Sequence, residues 1–176
     1  MVDEAHKQFL LGAGADKIRH SGRSLYEHLV GTHNLLEAWG NSKPVCDAGL
    51  FHSIYGTKHF RHKTWPLTDR ATIRELIGSQ AEKLAYWFCV KDPPRDLLYS
   101  INPVMPLFYD SHLNRSSFET LETLRNLREM AVANLLEQGS RSNSLRRLYD
   151  CDISDGAKRA IARHLRAADA PVSLRA

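Results

Sequence analysis

No stretch of this chain stays apolar for the length a membrane-spanning helix needs, and no secretory-type N-terminus is present. The expectation is a cytoplasmic protein with no membrane partner. Cysteine is scarce. Cys46, Cys89 and Cys151 are widely separated, odd in number and outside any metal-finger spacing, which excludes a disulfide framework and leaves buried or incidental thiols. Internal repeats, low-complexity tracts and a flexible interdomain linker are missing too, and convincing β-patterns are few. Aromatic interleaving is absent from the basic residues Arg141, Arg146, Arg147, Lys158, Arg159, Arg163 and Arg166 of the last third. They therefore read as a solvated helix face, with nucleic acid not expected as a partner.

What is there suits one helical domain. The 176 residues are 43% hydrophobic and 25% charged with a net charge of +4, which is enough chain for a self-sufficient core. A first short helix is expected over about 3–13. From Leu25 to Trp39, apolar residues recur at helical spacing and Gly40 supplies the stop. Pro44 opens a third helix that runs into His52 and ends around Tyr55-Gly56.

The segment from Lys58 to Pro66 reads as a loop carrying solvated His59 and His62. Thr68-Asp69 caps a helix that Gly78 ends, and another follows over Gln80 to Val90. Prolines make 93–106 a connector with a short helix around Asp96 to Ile101. Ser116-x-x-Glu119 matches a capping box and opens a long helix closed by Gly139, and Ser154-Asp155 caps a last helix to about Ala168. Residues from Ala170 onward read as frayed. The fold class predicted is all-α, a single helical domain over 1–176 with its core at about 16–139 and a helical extension at about 140–169.

Four segments carry the chemistry. They are Ser21-Gly22-Arg23-Ser24-Leu25-Tyr26-Glu27-His28, Ala48-Gly49-Leu50-Phe51-His52, Ile77-Gly78-Ser79-Gln80-Ala81-Glu82-Lys83-Leu84, and Val132-Ala133-Asn134-Leu135-Leu136. In this order they resemble the hydrolase domain of RelA/SpoT-type alarmone enzymes, a branch of the HD superfamily. The resemblance implies an HD-like bundle in which His28, His52 and the residue at position 134 converge on a metal.

The departures change the chemistry. The family's His-Asp is His52-Ser53 here, its downstream Glu-Asp pair is Tyr55-Gly56, and its late Asp is Asn134. Each replacement exchanges a carboxylate for a neutral group and weakens a hard-cation site, which argues against the family's usual alarmone hydrolysis. His28 and His52 remain, with His20 as an additional ligand, and imidazole suits iron, zinc or copper better than magnesium; the cofactor expected is a divalent metal (iron, zinc or manganese), with a metal-free pocket as the alternative. His33 falls on another face of its helix and is expected to be a surface or core residue. Trp39, Trp65 and Trp87 read as core anchors.

The expected activity is hydrolytic or other acid/base chemistry on a small molecule, anionic ones included, centred on His28, His52 and Tyr55. Ser53 assists there, and Arg23, Tyr26, Asn134 and Gln138 bind substrate. A non-haem iron oxygenase of the HD type is one alternative. Another is a catalytically silent module that binds a nucleotide-like or other anionic ligand, or a protein. A homo-oligomer is compatible with all three. Core histidines in an inherited fold would leave His28 and His52 without a chemical role.

Overall fold

Ser24 begins the part of the chain that matters most. Its hydroxyl accepts from the Glu27 backbone N–H at 3.2 Å, while the Glu27 carboxylate accepts from the Ser24 N–H at 2.8 Å. This reciprocal capping fixes the first turn of a helix and sets the face on which His28 lies. The computed structural model describes residues 1–58, 60, 63–98, 104–140 and 142–169, and it is mostly helical. In chain order the elements are α1 (Glu4–Gly12), β1 (Arg19–His20), β2 (Arg23–Ser24), α2 (Leu25–Ala38), α3 (Lys43–Leu50) and α4 (Arg70–Ile77). After them come α5 (Ser79–Val90), α6 (Arg95–Leu98), β3 (Leu107–Asp110), β4 (Arg115–Phe118), α7 (Leu121–Glu137), α8 (Asn143–Tyr149) and α9 (Asp155–Asp169).

The two strand pairs correct the all-α expectation. β1 and β2 pair antiparallel around Ser21 (φ 48°) and Gly22 (φ 88°), a two-residue turn with positive φ at both positions. Such a turn matches the twist of the flanking strands, and only local contacts are needed to close it. β3 and β4 also pair antiparallel, and β3 alternates exposed and buried residues. The Asp110 carboxylate accepts from the His112 and Leu113 N–H groups at 2.9 and 3.0 Å and so stabilises the turn between them.

Ser116 therefore lies in β4, and the expected capping box does not form. Thr120 caps α7 instead, accepting from the Thr123 N–H at 3.0 Å, while Glu119 is buried and accepts from Trp87 Nε1 at 3.0 Å. α3 also stops earlier than expected. Phe51 leaves helical geometry with φ −108°, so His52, Ser53 and Tyr55 occupy the turns after the helix. Asp69 does cap α4, and Gly78 ends it with φ 84°. α8 is an element that the sequence reading passed over.

Buried residues from every major helix share one core, including Leu10, Leu29, Leu36, Leu50, Ile73, Leu84, Leu127, Met130, Leu145 and Ile161. Burying each such side chain contributes about 1.5–3 kcal/mol. α3 packs closely on α2, and the missing side chain of Gly49 leaves room there for Leu36 Cδ1. Trp87 is buried, and Trp39 and Trp65 pack partly buried against the core, as core anchors would.

Arg146, Arg147, Arg159, Arg163 and Arg166 are exposed on α8 and α9. His59, His62, Arg141, the end of the connector helix at Ile101 and the tail from Ala170 lie outside the described residues. Among the described residues no helix is long and apolar enough to cross a membrane.

Candidate functional site

α2, α3 and α7 bring three of the expected residues together. His28 Nε2 lies 3.2 Å from His52 Nε2 and 3.0 Å from Asn134 Oδ1. His28 is fully buried and His52 nearly so. Burial, the largest influence on each, lowers both pKa values from the usual 6.5 to about 3, so both rings are neutral at pH 7.

Their outer nitrogens decide where the protons sit. His52 Nδ1 is 2.7 Å from the Gly49 carbonyl oxygen, an acceptor only, so Nδ1 carries the hydrogen. His28 Nδ1 meets Oε2 of Glu137 and donates to it when that carboxylate is ionised. A neutral imidazole has one N–H. With Glu137 ionised both Nε2 atoms are bare and face each other with lone pairs; with Glu137 protonated, His28 Nδ1 accepts and its Nε2 donates to Asn134 Oδ1.

Gln138, one turn beyond Asn134 on α7, ties the surroundings together. Its amide nitrogen donates to Asn134 Oδ1 at 3.0 Å and to His20 Nε2 at 3.2 Å. The His20 ring stands 4.4 Å from that of His28, and burial lowers its pKa. With Nε2 engaged by Gln138, His20 borders the pair instead of pointing a third nitrogen into it.

A cavity of about 390 Å³ opens above this cluster. His20, His52, Ser53, Asn134, Gln138, Thr57, Ser142 and Ser144 give it a polar lining, and Phe60, Phe88, Pro93, Pro94 and Leu135 complete the wall. Among the described lining residues none is Asp, Glu, Lys or Arg. Ser142 Oγ is buried with no hydrogen-bond partner among the described residues.

Three expected roles are corrected. The Tyr55 hydroxyl donates to Glu82 Oε1 at 3.0 Å and does not line the cavity, so it forms no acid/base pair with His52. Burial and the adjacent Glu82 carboxylate push its pKa further up, which removes it from proton transfer near neutrality. Arg23 is not a free guanidinium at a pocket mouth: it pairs with the Glu137 carboxylate and donates to the Glu137 carbonyl oxygen at 2.6 Å. Tyr26 is partly buried against the core and is not among the lining residues. His33 is a buried core residue, as its helix position suggested.

Glu137 is the functional residue that sequence reasoning missed. Its side chain is only 4% exposed, and it touches both His28 and Arg23. Burial raises its pKa, and the Arg23 charge opposes that rise. Nothing local marks it, because its partners are 109 and 114 residues away.

Among the described residues no group of three His, Cys, Asp or Glu side chains forms a metal cluster. The donors that do converge are two imidazole nitrogens and one amide oxygen, all neutral. Such a set fits a borderline ion such as zinc or iron through its nitrogens, and it fits a hard cation poorly. Among the described residues no carboxylate joins these donors as a third strong ligand.

Residues 9–93, just under half of the chain, match the profile of a family described as Domain of unknown function (DUF6817). The matched stretch holds His20, His28, His52 and Tyr55 and stops before Asn134 and Glu137. No curated protein and no solved structure matches the chain.

Proposed function

We propose that this chain is an HD-like small-molecule enzyme that carries out hydrolytic or other acid/base chemistry in the cavity above His52. In this reading His28, His52 and Asn134 hold a divalent ion, zinc or iron. The observation that carries it is the convergence of the two Nε2 atoms at 3.2 Å, with an amide oxygen at 3.0 Å from one of them, all three free of hydrogen when Glu137 is ionised. Three lone pairs turned toward one another repel unless a cation lies among them. The resemblance of the four sequence segments to the alarmone-hydrolase branch adds support for an HD-like bundle.

Such an ion, when bound, polarises a substrate oxygen or acidifies a water. The remaining work belongs to the chain. His20 borders the cavity with its Nε2 held by the Gln138 amide, and so fixes the orientation of Gln138 beside Asn134. Ser53, Ser142 and Ser144 offer hydroxyls to polar groups of a ligand, and Phe60 and Phe88 exclude solvent from it. Alarmone hydrolysis is not part of the proposal, because no carboxylate borders the cavity among the described residues to orient and deprotonate the attacking water.

A second reading rests on the amide groups. If Asn134 and Gln138 are both turned over, Asn134 donates to His28 Nε2 and the network closes without an ion, which suits a silent binding module. Metal analysis of the purified protein separates the readings. Stoichiometric zinc that is lost in His28→Ala and His52→Ala, with turnover on a panel of small esters and phosphoesters, is the expected result. Iron with oxygen consumption would transfer the site to the oxygenase class. A protein that takes up no metal, even when equilibrated with zinc, overturns the proposal.

A further inference from the structure

The carboxylates missing from the cavity have a counterpart one layer behind it. Glu137, on the last turn of α7, presents one oxygen to His28 Nδ1 and the other to Arg23 Nη2. Arg23 is itself fixed: it sits in β2, paired with His20 across the Ser21-Gly22 turn, and also donates to the Glu137 carbonyl oxygen at 2.6 Å. The guanidinium thus holds both the backbone and the side chain of the residue that touches His28.

Room for this carboxylate comes from a glycine on α2. A Cβ on Gly31 would stand 2.6 Å from Glu137 Oε1 and 2.9 Å from its Cγ. Gly31 follows His28 by three residues, so it lies on the same side of the helix. Any larger residue would push the carboxylate off the ring nitrogen. Nothing else found on α2 requires a glycine there, since its φ is negative.

We propose that Arg23, Glu137 and Gly31 form a positioning unit that keeps the His28 hydrogen on Nδ1 and aims a bare Nε2 at His52 and Asn134. The use of that Nε2 as a metal ligand rests on the function proposed above; the proton placement does not. A charged acceptor on Nδ1 makes the opposite nitrogen a stronger donor toward a cation. It also supplies a negative charge close to a site whose inner groups carry none. Glu137 is a positioning residue, acting through His28 without touching a ligand.

The test compares wild type, Glu137→Gln, Gly31→Ala and Arg23→Met by nitrogen NMR of the histidine rings in metal-free protein at neutral pH. His52 is an internal control, because its Nδ1–H is held by the Gly49 carbonyl. Wild type should show both rings as the Nδ1–H form. In Glu137→Gln and Gly31→Ala, His28 should lose that single form while His52 keeps it, a change that a merely structural tie between β2 and α7 would not produce. Arg23→Met should weaken the preference less, since the carboxylate remains.

Zinc titration against a chromophoric chelator gives the second readout, with an expected loss of about 10- to 100-fold in affinity for Glu137→Gln. An unchanged His28 signal in both Glu137→Gln and Gly31→Ala overturns the proposal. A shifted His28 signal in a protein whose wild type binds no zinc upholds the positioning unit and removes the metal reading instead.

Discussion

The Tyr55 hydroxyl donates to Glu82 Oε1 at 3.0 Å, and both residues are buried. Glu82 also receives Arg70 through Nε at 2.6 Å and Nη2 at 2.8 Å, with Arg74 Nη2 at 3.4 Å. The Arg70 guanidinium lies 3.5 Å above the Tyr86 ring. One carboxylate thus joins the turns after α3 to α4 and α5.

Tyr55→Phe should leave any turnover intact and cost about 1 kcal/mol, since Glu82 keeps its arginine partners. Glu82→Gln strips the charge from beneath Arg70 and should cost about 3–5 kcal/mol. Urea denaturation measures both, and a Tyr55→Phe protein that is stable but inactive would restore the phenol to the chemistry.

Stability should fall on acidification. Between pH 6.5 and about 3 the unfolded chain takes up protons at His28 and His52 and the folded chain does not. The unfolded state therefore binds more protons, and stability rises with pH across this window by up to about 1 kcal/mol per unit for each ring. Glu137, raised by burial, opposes part of this slope. His6, raised chiefly by the Asp47 carboxylate 3.5 Å from its Nδ1, contributes stability that is present below 6.5 and lost as pH climbs through its folded value. Urea midpoints measured from pH 4 to 8 should show the acid-side slope flattened in His52→Gln.

Restoring a carboxylate should strengthen the cation site. Asn134→Asp places a negative oxygen 3.0 Å from His28 Nε2 in the present geometry and should tighten zinc binding by about 10-fold or more. Calorimetric titration of metal-free protein is the measurement, and an unchanged or weakened isotherm would show that position 134 does not face a bound ion.

Close packing on two glycines gives a stability test away from the cavity. A Cβ on Gly156 would meet the Trp39 Cα at 3.0 Å and Cβ at 2.8 Å, so Gly156→Ala must shift α9 from α2. Gly49→Ala meets Leu36 Cδ1, the end of a side chain that can turn aside. Each should cost about 1–3 kcal/mol, with the larger loss at Gly156 because backbone has to move. Thermal denaturation ranks the two.

The sequence was readable wherever the cause is local. α2 follows from a 3.6-residue apolar period, α4 from Asp69 and Gly78 at its ends, and α9 from Ser154, whose hydroxyl accepts from the Ala157 N–H at 3.1 Å. The β1–β2 turn was also locally encoded, in Ser21-Gly22, but two-residue strands are too short to leave a periodic signal. β3 and β4 escaped because their anchors are distant: Tyr86 donates to Asp110 at 2.6 Å, and Trp87 to Glu119. Ser116-x-x-Glu119 carries a helix-start pattern, and burial of Glu119 against Trp87 overrode it.

By itself the sequence determined that this is a mostly helical chain and that His28, His52 and Asn134 mark one place in it, because helical period, caps and motif order are properties of neighbouring residues. Tertiary structure alone decided that Glu137 meets His28 Nδ1, that Arg23 serves Glu137, and that Tyr55 belongs to Glu82. Those outcomes depend on hydrogen-bond partners far away in the chain, and an imidazole, a guanidinium or a phenol takes its chemical role from the partner that packing puts within about 3 Å.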